Sequence, residues 1–397
     1  MSGDLHITGI RPMGKAATSV TVRGGRIAAY GEDAPPGMET IDGGDAILIP
    51  GLVEAHTHLD KTLLGMGWYR NEVGPRLIDK IENERAEKKR LGIDPARQSA
   101  RQAVLSVAQG STAIRSHVDV DTEVGLSGIE GVLRTCEAYR DIVDIEIVAF
   151  PQSGMLIRPG TAELMEEALR LGAHVVGGLD PSAIDRDPKG HLDVIFGLAE
   201  RFGVPVDIHL HEPAELGAFS MELIVERTRA LGMQGEVTIS HAFCLGMADR
   251  DYVASLIDAL AEARVHILTT APASRPVPPV KRLVEAGVVV AAGSDGVRDT
   301  WGPYGNADML ERAMLVGLRN NFRRDDEVEM ALDVCTYGGA RLMGLDGYGI
   351  AAGDRADFVL VEGETLAEAV VSRAPRRMVV KNGRVVARSG RALVEAP

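Results

Sequence analysis

Eight short apolar, β-branched runs recur along this chain, most of them separated by segments of helical character. They are "LVEAHTH", "TAIRSHVDV", "IEIVAFPQ", "AHVVGGLD", "VPVDIHLHE", "EVTISHA", "RVHILTT" and "VVVAAGSD", in that order. Between them lie stretches such as "DKIENERAEKKR" and "TAELMEEALRLG", which are rich in helix formers. Parallel strands need crossover connections, and alternation of this kind over eight strands predicts a (β/α)8 TIM barrel in the α/β class. An open doubly wound sheet is the competing architecture, but no G-x-G-x-x-G follows an early strand.

A barrel does not use the whole chain. At 397 residues there is room for one large α/β domain and a smaller one. The ends supply the smaller one. "VTVRGGRIAAYG" and "MVVKNGRVVARSG" each read as two β-rich runs about a turn, Gly24-Gly25 in the first and Asn382-Gly383 in the second. Similar hairpins at both termini predict a small β-sandwich domain built from residues 1–50 and 350–397, with the barrel spanning 51–349.

Catalytic groups of such a barrel sit at the carboxyl ends of its strands. The ends here carry His56 and His58, His117 and Asp119, Gln152, Asp180, His209 and His211 followed by Glu212, His241, and Asp295. Strand side chains alternate, so His56 and His58 face the same way and can hold one ion together. That pair alone does not decide the matter. A catalytic metal site needs further ligands and an open position, and a His from the fifth run with the Asp closing the eighth would complete it.

These residues and the stretches around them resemble the amidohydrolase superfamily. The nearest branch is that of cytosine deaminases and N-isopropylammelide amidohydrolases. The shared stretches are "HTHLDKT", "IRSHVDVD", "IVAFPQSG", "HLHE", "SHAFC", "GSDGVRDTWGPYGNADM" and, on the triazine side, "DPSAIDRDPKGHLD". The resemblance implies that His56, His58, His209 and Asp295 bind one divalent metal ion per chain, zinc or ferrous iron. His209 is chosen over His211 because family spacing puts two residues between ligand and acid. Glu212 would be the proton shuttle and His241 would hydrogen-bond the attacking water. Asp295 would serve catalysis as well as the metal. Gln152 would bind the ring carbonyl and amide edge, and Trp301 and Leu77 would flank the planar ring. His117 is open between a structural role and one supporting the ligands, and Lys61 reads as structural.

The expected activity is hydrolytic deamination of a cyclic amidine such as cytosine or a related oxo-aminopyrimidine or azine, releasing ammonia or an amine. The alternative is hydrolysis of an N-substituted aminotriazine of the ammelide type. A binuclear cyclic-amide hydrolase would use a bridging lysine from the third or fourth strand, and those runs contain none. A non-catalytic scaffold would have eroded ligands, and here all are present. Cytosine deaminases typically place a second Asp after the metal Asp. Here Gly296 stands there, which predicts a lost carboxylate and room for a ring or amine substituent.

Composition narrows the partners. The formal net charge is -14, which argues against non-specific binding to nucleic acid or an anionic membrane. Three cysteines without a C-x-x-C pair give neither a disulfide framework nor a thiolate zinc site. No signal-peptide pattern and no long apolar run are visible, so a cytoplasmic protein acting on a small heterocyclic substrate is expected, with a homo-oligomer left open.

Overall fold

The computed structural model describes residues 3–397. Its eight barrel strands are β1 (Leu52–Thr57), β2 (Ser111–Asp119), β3 (Asp144–Phe150), β4 (Val175–Leu179), β5 (Val206–His209), β6 (Val237–Ser240), β7 (His266–Thr269) and β8 (Val290–Ala292). They pair in sequence order and in parallel. Closure falls between β8 and β1, where Asp295 N–H donates to the His56 carbonyl at 2.9 Å and Thr57 bridges Asp295. All eight runs read from the sequence are strands.

The burial pattern explains why the sequence chooses a barrel. Every residue of β2 is buried, because one face meets helices and the other meets the barrel interior. Ile114 and Val118 join the core formed with Ala103, Val107, Ile129 and Val132 of the neighbouring helices. Arg115 and His117 alternate with them, so they share the opposite face. Arg115 reaches Asp207 at 3.1 Å and also pairs with Glu146, which satisfies a cation that could not otherwise be buried.

The termini build one continuous eight-stranded sheet. In it Thr40–Pro50 lies beside Phe358–Val361, joining the N-terminal and C-terminal halves. Both predicted hairpins form. Asn382 and Gly383 have φ of 48° and 73°, the left-handed pair that a tight hairpin turn requires. Leu5, Ile7, Val20 and Ile27 share one core with Phe358, Leu360, Met378 and Val380. The two halves of the sheet therefore enclose a common interior, as the expected sandwich does. Lys381 fastens this unit to the base of β3 through Asp144 at 2.7 Å, and Asp357 beside the strand Phe358–Val361 accepts from the same ammonium at 2.8 Å. No helix among the described residues is long and apolar enough to cross a membrane.

Candidate active site

The strand ends deliver the predicted histidines to one point. His56 and His58 leave β1 into the barrel mouth, and His209 ends β5. Ring nitrogens of these three lie within 4.8 Å of one another. Asp295 approaches from the loop after β8, with Oδ1 3.3 Å from His58 Nε2 and 3.8 Å from His56 Nε2. Asp295 holds φ at 63°, and His241 and Asp180 are also left-handed. Such backbone costs about 1–3 kcal/mol per non-glycine residue and concentrates at functional sites.

Hydrogen bonds set the tautomers. His58 Nδ1 lies 2.9 Å from the His117 carbonyl. A carbonyl only accepts, so the proton is on Nδ1 and Nε2 offers a lone pair. His56 Nδ1 meets Ser240 Oγ at 3.1 Å, and Ser240 Oγ donates to Asp207 at 2.6 Å. The serine proton is spent on Asp207, so His56 also donates from Nδ1 and frees Nε2. That Nε2, and both ring nitrogens of His209, are buried without a hydrogen-bond partner. Burial, then neighbouring imidazoles, hold His56 and His209 well below the ordinary histidine range. Burial works against the Asp295 charge, but its contacts with His58, His241 and His56 hold the carboxyl well below the usual carboxylate range. Neutral imidazoles with orphaned lone pairs beside an ionised carboxylate fit a divalent metal ion.

Glu212 is buried just beyond β5. Its Oε1 accepts from Ser182 N–H and Ala183 N–H, both at 2.7 Å, and its Oε2 accepts from Ser220 Oγ. One lone pair remains on Oε2. Burial is the largest cause raising its pKa above the usual carboxylate value. His241 Nε2 has no partner, and its Nδ1 lies 3.4 Å from Thr270 Oγ1. His211 stacks on His241 with centroids 4.3 Å apart, and its Nδ1 meets Asp180 at 2.7 Å. Burial works against its charge, but Asp180 outweighs burial and raises its pKa. His117 lies deeper, its ring 4.0 Å from that of His56 and its Nε2 3.4 Å from Asp207. His56, His117 and Asp207 form a second close group.

A cavity of about 820 Å³ opens over these groups, and Gln152, Leu77, Trp301 and Gly296 all line it. Leu77 and Trp301 pack against a small cluster of Ile81, Phe150 and Leu179. The room expected beside Gly296 is absent. A Cβ there would lie 2.0 Å from Asp299 Oδ2, so the place is filled by a carboxylate arriving three residues later. Asp299 Oδ1 accepts from Trp301 N–H at 2.8 Å and Gly302 N–H at 3.0 Å. Burial pushes Asp299 up to about 6. Asp299, Ser240 and Asp180 as anchors had no assigned role in the sequence. Asp180 shared the strand-end signal and Ser240 closes β6, whereas Asp299 depends on the geometry of the loop after β8.

A barrel with this ligand group at its mouth is the architecture of a metal-dependent hydrolase. The chain belongs to the Amidohydrolase family, whose model matches residues 39–387. It is 31% identical to N-isopropylammelide isopropyl amidohydrolase of Pseudomonas sp. (strain ADP), over 88% of each chain. The crystal structure of N-isopropylammelide isopropylaminohydrolase from Burkholderia multivorans superposes with a TM-score of 0.95 at 52% identity, covering 98% of this chain and 100% of that one. 5-Methylcytosine deaminase from Klebsiella pneumoniae, liganded with 5-fluorocytosine, gives a TM-score of 0.85 at 27% identity, covering 96% and 97%. The chain is a hydrolytic enzyme of the deaminase kind.

Proposed function

We propose that this enzyme hydrolyses the exocyclic C–N bond of an amino-oxo-azine, and that the preferred amine carries an alkyl group. The observation carrying the reaction type is the set of lone pairs aimed at one buried point beside Glu212. The alkyl preference is supported by the 52% identity to the Burkholderia enzyme. A cavity of about 820 Å³ also exceeds what an unsubstituted ring fills.

His56, His58, His209 and Asp295 would hold one divalent ion, zinc or ferrous iron, since imidazole and carboxylate ligands suit both. β3 and β4 hold no lysine to bridge a second ion. When bound, such an ion lowers the pKa of a water from 15.7 to about 7. Glu212 takes a proton at its free Oε2 position from the attacking water and returns it to the ring nitrogen. That gives the developing negative charge a destination; Glu212 then moves the second water proton from the new hydroxyl to the exocyclic nitrogen, so the C–N bond breaks to a neutral amine as the ring carbonyl forms. His241 Nε2 faces the attacking oxygen. Gln152 holds a ring carbonyl, and Leu77 and Trp301 flank the ring.

The test is amine release from metal-loaded enzyme with cytosine, 5-methylcytosine, isocytosine and N-isopropylammelide. The highest kcat/KM is expected for N-isopropylammelide, with isopropylamine as product. Failure of every azine to release ammonia or amine would reject the proposal. A preference for cytosine would keep the reaction and reject the alkyl specificity.

A further inference from the structure

Lys61 takes no part in the proton transfers above, yet it touches the residue that would hold the ring. It is 3% exposed, and its Nζ lies 2.5 Å from Gln152 Oε1, 3.1 Å from Asp119 Oδ1 and 3.0 Å from Glu84 Oε1. Burial opposes its charge, but Asp119, Glu84 and Asp60 outweigh burial and keep the ammonium protonated. An ammonium has three donors and no acceptor. It therefore meets the oxygen of Gln152, never the NH2 group. Gln152 Nε2 has no hydrogen bond among the described residues, and Gln152 lines the cavity. With its oxygen held by Lys61, Gln152 turns its NH2 group, a pair of N–H donors, to the ring. Glu84 also accepts from Trp301 Nε1, so one carboxylate steadies both the lysine and an apolar wall.

We propose that Lys61 is a positioning residue that locks the Gln152 amide with its NH2 group towards the ring, selecting rings with a carbonyl at that point and rejecting rings with an amino group there. This rests on the placement of the ring given under the proposed function. An amino group facing Gln152 would set donor against donor and leave both without a partner in a buried site. Sites built around a substrate hydrogen bond discriminate far more sharply than apolar pockets do.

The test compares N-isopropylammelide, with two ring carbonyls, and N-isopropylmelamine, with two amino groups in their place. Wild type should favour the first by at least ~100-fold in kcat/KM. Lys61→Met should cut that preference by roughly tenfold or more, mainly through KM, because the amide is then free to turn over. Lys61→Arg should retain it. Lys88 stays paired with Glu84 at 3.2 Å and with Asp119, which supports the fold of the Met variant. An unchanged preference in folded, metal-loaded Lys61→Met overturns the proposal, since a merely structural lysine would move stability alone. If that variant does not fold, Gln152→Glu with Lys61 intact presents an acceptor and should shift preference towards the amino-bearing ring. An unshifted order there also overturns it. Thermal-shift binding of cytosine against 2,4-diaminopyrimidine reads the same contact without turnover. Loss of all amine release would then reject the proposed reaction, while a binding preference for cytosine that disappears in Lys61→Met would still support the role of Lys61.

Discussion

Glu212 carries the heaviest chemical demand of any single side chain. Glu212→Gln keeps an oxygen to accept from Ser182 and Ala183 but cannot shuttle a proton. Turnover should fall by roughly 100- to 10,000-fold, with metal content unchanged. Near-normal kcat at neutral pH would remove Glu212 from the mechanism. A second carboxylate makes a pH prediction. Glu54 is fully buried beneath His56, with Oε1 accepting from Ser294 N–H at 2.8 Å and Oε2 unpartnered. Burial raises its pKa from 4.5 to about 7. The folded protein thus binds this proton more tightly than the unfolded chain, so the group's stabilising contribution is full below about 4.5 and is lost as pH rises through 7. Glu54→Gln removes that loss. The unfolding free energy of the variant minus that of wild type should grow between these limits, by on the order of 3 kcal/mol at most. A pH-independent difference in urea unfolding would contradict it. At this scale the sequence was partly legible. His56 and His58 stood out by their spacing and Asp295 by its strand-end position, whereas the choice of His209 over His211 and the role of Glu212 came from the family resemblance. Gly296 misled, because an absent side chain in the sequence says nothing of Asp299 folding back into its place. The Lys61–Gln152 contact joins residues 91 apart in sequence, and only the side-by-side pairing of β1, β2 and β3 brings them together.

Among the elements, the helix Ala214–Ala230 is seated against the residue it follows. A Cβ on Gly217 would lie 2.2 Å from the Glu212 carbonyl oxygen and 2.7 Å from Cys244 Cβ. Neither can yield cheaply, since one is backbone and the other sits in the core. Gly217→Ala should cost about 1–3 kcal/mol and lower turnover by displacing Glu212. Gly197, in the helix Pro188–Phe202, is the control, because nothing lies within 4 Å of its added Cβ. Gly197→Ala should stabilise by up to about 1 kcal/mol through helix propensity and leave kinetics alone. Parallel denaturation curves and kcat values check both, and equal effects in the two helices would contradict the packing account. The elements themselves were readable because apolar runs and helix formers alternate without ambiguity, and because Asn-Gly and Gly-Gly permit left-handed turns. How tightly each helix seats depends on distances that no pattern encodes.

The whole molecule places its termini and its chemistry at different parts of the barrel. Lys381 ties the small sheet to Asp144, at the first residue of β3, while the histidines and carboxylates gather at the opposite, carboxyl ends of the strands. The family was legible from motifs spread across the barrel. The substrate was not, because the pocket wall is assembled from loops whose side chains fill one another's space. The central claim is that one metal ion, held by His56, His58, His209 and Asp295, makes this chain a hydrolytic deaminase. The direct measurement is titration of metal-free enzyme with zinc or ferrous iron while amine release from N-isopropylammelide is followed. Activity should rise linearly and level off at about one equivalent per chain, and His209→Ala should abolish the rise. A break at two equivalents, or full activity in the metal-free protein, would contradict the account.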